Sequence, residues 1–119
     1  MQPFKVLKTE RLINETFCTI DKERVVFPDG SQGDWFIKQN CDAAIIIPIL
    51  KTGEVLLERT YKHGCGEVII EFPAGLIDQG EATEDAAKRE LLEETGYSSS
   101  KWTLLGEAFA GPTLSLIHI

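Results

Sequence analysis

An α/β fold of the α+β kind is what this sequence predicts: a mixed β-sheet, one acidic helix, and antiparallel strands ahead of both. Three observations predict it. Segments rich in β-branched and aromatic residues follow one another from about Lys5 to Lys38. A nearly continuous apolar run comes next, from Asp42 to Leu50. One helical period then spans about Thr83 to Thr95 and stops at Gly96.

Taken in order, Thr16–Ile20 and Arg24–Phe27 read as strands, Pro28-Asp29-Gly30 as a turn, and Trp35–Ile37 as a further strand. These strands are too short and too charged to stand alone, so residues 1–40 read as a small antiparallel subdomain leaning on the remainder or on a second subunit. Asp42–Leu50 reads as a strand buried on both faces, with Pro48 at its end or at a bulge, because proline cannot donate to a ladder. Lys51–Glu54 is a turn, Val55–Arg59 the returning strand, Tyr61–Gly66 a flexible loop, and Val68–Phe72 a strand ended by Pro73. Thr83 is the expected helix N-cap, with Glu84 and Asp85 in the first turn where the helix dipole favours acids. Ala86, Ala87, Leu91 and Leu92 supply its apolar side, and Trp102–Phe109 reads as one more strand.

Composition narrows the function. A chain of 119 residues with 43% hydrophobic and 26% charged content is ordinary for a small soluble domain. Its net charge of −7 argues against a nucleic-acid or anionic-membrane partner, which requires a basic footprint. Phosphorylated small molecules stay in play, because a bound cation reverses the local sign. Cys18, Cys41 and Cys65 are odd in number and lack a CxxC pair, so they read as reduced thiols of a cytoplasmic protein. Cys65, between two glycines, reads as a bystander in preference to a reactive thiol. Met1–Lys5 carries no apolar leader, and the Ala43–Leu50 run is too short to span a bilayer.

The chemistry concentrates in Gly75–Tyr97. Glu90, Glu93 and Glu94 stand at i, i+3 and i+4, so their carboxylates share one helical face. Like charges at that spacing repel, and a hard divalent cation with oxygen ligands is the natural compensation. The bland reading is a solvated acidic helix with an ordinary Arg89–Glu93 bridge.

The spacing Gly75, five residues, Glu81, seven residues, then Arg89-Glu90-Leu91-x-Glu93-Glu94-x-Gly96-Tyr97 resembles the Nudix box of the Nudix hydrolases. Every charged and glycine position matches; Tyr97 stands where an aliphatic residue is usual. The resemblance implies a Nudix fold over residues 41–119 and a magnesium cofactor, with manganese an alternative. It implies Glu90 and Glu94 as principal metal ligands, Glu93 joining directly or through water, and the Ala74 carbonyl as a further ligand. Arg89 would orient the carboxylates, and Glu81 would support the metal or the loop–helix junction.

Glu71-Phe-Pro-Ala-Gly-Leu-Ile-Asp78, together with Ala86–Tyr97, is similar to the ADP-ribose pyrophosphatase branch, and Pro112 sits where that branch often has a proline. This implies hydrolysis of ADP-ribose or a related nucleoside diphosphate sugar to a nucleoside monophosphate and a sugar phosphate. It also implies a homodimer that exchanges N-terminal strands. Aligning Arg59-Thr-Tyr61-Lys62 makes Arg59 and Lys62 candidate substrate-binding residues, with Lys62 at a substrate-contacting arginine position, a departure because lysine lacks the bidentate fork. Glu71 reads as substrate-binding or merely solvated, and Trp35 as a core residue in preference to a base-stacking one.

The branch often draws its catalytic base from a downstream loop, and no acid after Glu107 is present to serve. The last part of the fold is therefore expected to be missing. Leu114-Ser-Leu-Ile-His-Ile119 matches one translation frame of a common sequencing adapter and is expected to be read-through, which would leave His118 without meaning. Two other functions stay open: a nucleoside triphosphate pyrophosphohydrolase, and a Nudix-fold regulator that binds without cleaving.

Overall fold

The computed structural model describes residues 2–16, 18–39 and 41–109, with the backbone of Ile117 and His118. The chain divides into two compact units, one built on Met1–Cys41 and the other on Asp42–Ala108.

The first unit is a three-stranded antiparallel sheet of β1 (Lys5–Glu15), β2 (Cys18–Val26) and β3 (Gln32–Gln39), in that order. The two strands expected at Thr16–Ile20 and Arg24–Phe27 are one. The polar stretch between them does not break the ladder, because Asp21 turns inward at 5% exposure. It accepts bonds from Arg11 Nε at 2.5 Å and Gln39 Nε2 at 2.6 Å, which satisfies the buried charge from both neighbouring strands. Pro28–Gly30 makes the expected turn, with the Phe27 N–H donating to the Ser31 carbonyl and the Gly30 N–H to the Phe27 carbonyl. Trp35, expected in the core, is instead 37% exposed, in an edge-to-face cluster with Phe4 and Phe27 at 5.4 and 6.5 Å between centroids.

The second unit holds a mixed sheet around β4 (Ala43–Ile45), which pairs antiparallel with β7 (Ala74–Leu76). On its other side β4 runs parallel to β9 (Ile117–His118), which pairs with β8 (Glu107–Ala108). The long strand expected over Asp42–Leu50 divides. Pro48 has no N–H for a ladder, and past it Ile49 pairs with Val55 across the Lys51–Glu54 turn. The returning strand starts later than expected, as β5 (Glu58–Lys62), and forms a hairpin with β6 (Glu67–Glu71). Tyr61 and Lys62 are thus strand residues, and the expected loop shrinks to a turn closed by the Gly66 N–H on the Lys62 carbonyl.

Helix α1 runs Thr83–Thr95, as the periodicity predicts, and Gly96 closes it with φ 73° and its N–H on the Leu92 carbonyl. Its N-cap is Ala82, not Thr83, and has no side-chain cap; the Ala82 carbonyl takes the Asp85 and Ala86 N–H groups. Ala87 and Leu91 pack with Ala44 and Ile46 in the core, flanked by Ile77 and Trp102. Burying Leu91 and Ile46 contributes roughly 2 kcal/mol each. Leu92, expected on this face, is 55% exposed, one position beyond the buried stripe. The strand expected at Trp102–Phe109 is confined to Glu107–Ala108; Leu104 and Leu105 are exposed. Apart from the backbone of Ile117 and His118, the expectations for 110–119 lie outside the described residues.

Candidate active site

The site grows from the β7–α1 connection. Gly80, at φ 83°, turns the chain toward the helix. Glu81 ties that turn: its Oε2 accepts the Asp78 N–H at 3.0 Å and Arg89 Nη2 at 2.8 Å, while its Oε1 accepts Arg89 Nε at 3.0 Å. Arg89 thus forks onto Glu81, donates to the Leu76 carbonyl at 3.0 Å, and reaches Glu90 Oε1 at 2.6 Å. Glu93 stands 3.6 Å from the same guanidinium. The Arg89 bonds, then the Asp78 N–H, hold the Glu81 carboxyl down to about 2. Of the two roles expected for Glu81, the geometry displays the loop–helix junction.

Gly75 lies against Glu90. A Cβ at Gly75 would sit 1.8 Å from Glu90 Cδ, so only glycine lets β7 pass this close to the carboxylate. One residue back, the Ala74 N–H donates to Glu94 Oε2 at 3.0 Å. Much of Glu94 still reaches solvent. Even so, partial desolvation, then the charges of Glu58 and Glu90, push its carboxyl above the ordinary range, against the Ala74 N–H and Lys62.

The β5–β6 hairpin supplies the remaining groups. Lys62 Nζ meets Glu71 Oε1 at 2.5 Å, and Glu71, then Glu58 and Glu94, raise the ammonium's affinity for its proton. Glu58, not singled out from the sequence, stands directly opposite Glu71 in the register. The signal was present: with period-2 alternation along β5, Glu58, Thr60 and Lys62 share a face. The same alternation puts Arg59 on the opposite face, beside Tyr61 in sequence and opposite Ile70 in register. The structure therefore brings Glu81, Arg89, Glu90, Glu93, Glu94 and Ala74 together, adds Lys62, Glu71 and Glu58, and leaves Arg59 outside.

Comparison with known proteins matches this region. The NUDIX domain family matches residues 39–115. The chain belongs to the Nudix family. A solved structure described as an ADP compounds hydrolase superposes with a TM-score of 0.86 at 27% identity, over 99% of this chain and 68% of that one. The Nudix fold read from the box is thus the fold observed. The ADP-ribose pyrophosphatase of Bacillus subtilis is 26% identical over 97% of this chain and 63% of its own length. The ADP-sugar pyrophosphatase of Mus musculus is 35% identical over 77% of this chain and 48% of its own length. The methanol dehydrogenase activator of Bacillus methanolicus is 27% identical over 97% and 63% respectively. The chain spans about half to two thirds of the length of these curated relatives.

Among the described residues no three acidic, histidine or cysteine side chains converge as a closed metal-ligand set. The residues nonetheless fit a divalent cation. Glu94 has Glu58, Glu90 and Lys62 as charged neighbours, and Glu90 and Glu93 border an Arg89 already forked onto Glu81. These carboxylate oxygens are the donors a hard cation takes. Among the described residues no helix is long and apolar enough to cross a membrane.

Proposed function

We propose that this protein hydrolyses the pyrophosphate bond of ADP-ribose or a related nucleoside diphosphate sugar, with magnesium, giving AMP (or another nucleoside monophosphate) and a sugar phosphate. The observation that carries the reading is the close passage of Gly75 past Glu90 while Glu94, partly desolvated, takes the Ala74 N–H. A backbone shaped around carboxylates that repel one another serves cation and phosphate binding better than it serves stability. Relatives described as ADP-ribose and ADP-sugar pyrophosphatases support the substrate class.

In this reading Glu90 and Glu94, with Glu93 directly or through water and the Ala74 carbonyl, would hold the ion. When bound, it supplies neutralisation of phosphate charge and a lowered pKa for a coordinated water. The protein's own contributions are separable. Arg89 holds Glu90 in place, Glu81 fixes the loop that delivers Ala74 and Gly75, and Lys62 presents a positive charge to a phosphate oxygen. Glu71 fixes Lys62. We further propose a homodimer, supported by β1, whose eleven residues, Val6, Leu7, Leu12 and Ile13 among them, are all exposed. A cytoplasmic setting is supported by Cys18, Cys41 and Cys65, none of them in a disulfide.

The test is release of AMP from ADP-ribose, against GDP-mannose, NADH and nucleoside triphosphates, with and without magnesium. Preference for ADP-ribose is expected. Preference for triphosphates overturns the substrate class, and binding without cleavage returns the regulator reading.

A further inference from the structure

Lys62 does not deliver its charge where its backbone stands. In the hairpin register Lys62 lies opposite Glu67, and Thr60 opposite Ile69. Its ammonium nonetheless meets Glu71, which lies opposite Glu58, four residues back along β5. The two side chains therefore lean toward each other along the hairpin, and the ammonium, drawn back from its own end of β5, lies where Glu58 and Glu94 also act on it. Two acids mark the far end of the hairpin, Glu58 and Glu71, directly across from each other. Like charges in that position destabilise a sheet unless a cation offsets them. Glu58 is itself oriented: the Thr60 hydroxyl donates to its Oε1 at 3.1 Å.

We propose that Glu58 is a positioning residue which, oriented by Thr60 and paired across the hairpin with Glu71, draws Lys62 back along β5 so that its ammonium faces the substrate phosphate. The inference rests on the functional reading above and extends it to a residue outside the Nudix box. Lysine is a point charge on a stem with many rotamers, so holding it in one place takes a second anchor that arginine's rigid fork would not need. An ammonium has three donors, and the bond to Glu71 uses one. Charge on both sides of the hairpin biases the stem toward the box; with Glu71 alone, the stem is held from one side only.

The experiment is a double-mutant cycle on the full chain, with Glu58→Gln, Lys62→Met and both together, read by ADP-ribose binding in calorimetry, by kcat and KM, and by thermal melting. Glu58→Gln is expected to raise Kd and KM about fivefold, the size of one exposed charge contact, with the loss in kcat/KM carried by KM. In the Lys62→Met background the same change should add nothing. Melting should hold or rise, since a like-charge pair has been relieved. Glu58→Asp should recover part of the affinity.

An unchanged Kd in Glu58→Gln overturns the proposal, as does an equal effect in both backgrounds. So does a lowered melting point with matched losses in kcat and KM, which marks a merely structural role. Wild type that neither binds nor cleaves ADP-ribose defeats the functional reading and this proposal with it. Wild type that binds, beside a Glu58→Gln variant that binds equally well, defeats this proposal alone.

Discussion

The two ends of the Nudix box use the same residue types to opposite purposes. At the loop–helix junction, Glu81 is fully engaged, by Arg89 through two nitrogens and by the Asp78 N–H. Thirteen residues on, in the last turn of α1, Glu94 has a backbone N–H and a share of one lysine, with Glu58 and Glu90 pressing on it. One carboxyl is held far below its ordinary range and the other is pushed above it. The paired end fixes the loop–helix junction; the end short of partners is where the proposed function puts the chemistry. A protein that only needed a helix would have no reason to keep the second end.

Changing Glu94 to Gln tests this contrast hardest. Turnover should fall by orders of magnitude, while circular dichroism and melting show a fold as stable as before or more so. The sign follows from the shift: a carboxyl raised in the folded state costs stability once it ionises, and Gln removes that cost. A melting point that drops with activity would break the contrast.

Gly75→Ala comes next. The new Cβ must displace the Glu90 carboxyl, which at 14% side-chain exposure has little room and is held by Arg89. Activity should fall about 10–100-fold, the usual cost of disturbing a ligand's support. Stability should fall as for a tightly overpacked site, by about 1–3 kcal/mol, seen as a lowered melting point.

At the paired end, Arg89→Lys removes the fork but keeps the charge. Melting should fall by a few degrees and activity by about tenfold. Equal activity and an unchanged melting point would show that the fork is dispensable.

Acid titration sharpens the same end. Glu81 ordinarily titrates near 4.5 and is held to about 2 here. The stability it contributes is present above pH 4.5 and is lost as pH falls through 2. Wild type should therefore lose melting temperature more steeply across that window than Glu81→Gln does.

The smallest effect is expected at the helix start. Ala82→Ser supplies the side-chain cap that α1 lacks and should stabilise by about 0.5–1 kcal/mol, with activity unchanged.

Much of this was legible along the chain, because it depends on neighbours in sequence. The bounds of α1, the left-handed Gly96 and the shared face of Glu90, Glu93 and Glu94 follow from a 3.6-residue period and from local backbone preference. The Pro28–Gly30 and Lys51–Glu54 turns are local in the same way. One misreading fell where long-range partners overrode the local signal, since Asp21, buried by Arg11 and Gln39, merges two strands into one; others were local, with the N-cap at Ala82 and Leu92 just past the buried edge of its helix.

What the sequence by itself determined, then, was the box: its helix, its glycines, its carboxylate spacing and the family it belongs to. Only the tertiary structure decided which carboxylates are bound up and which are left short of partners. It set Arg89 on Glu81, brought Glu94 to the Ala74 N–H twenty residues back, and through the β5–β6 register set Glu58 opposite Glu71. The reason is physical. Periodicity says which side chains share a face, but a charge's worth depends on what lies across from that face, and strand register and chain reversal set that.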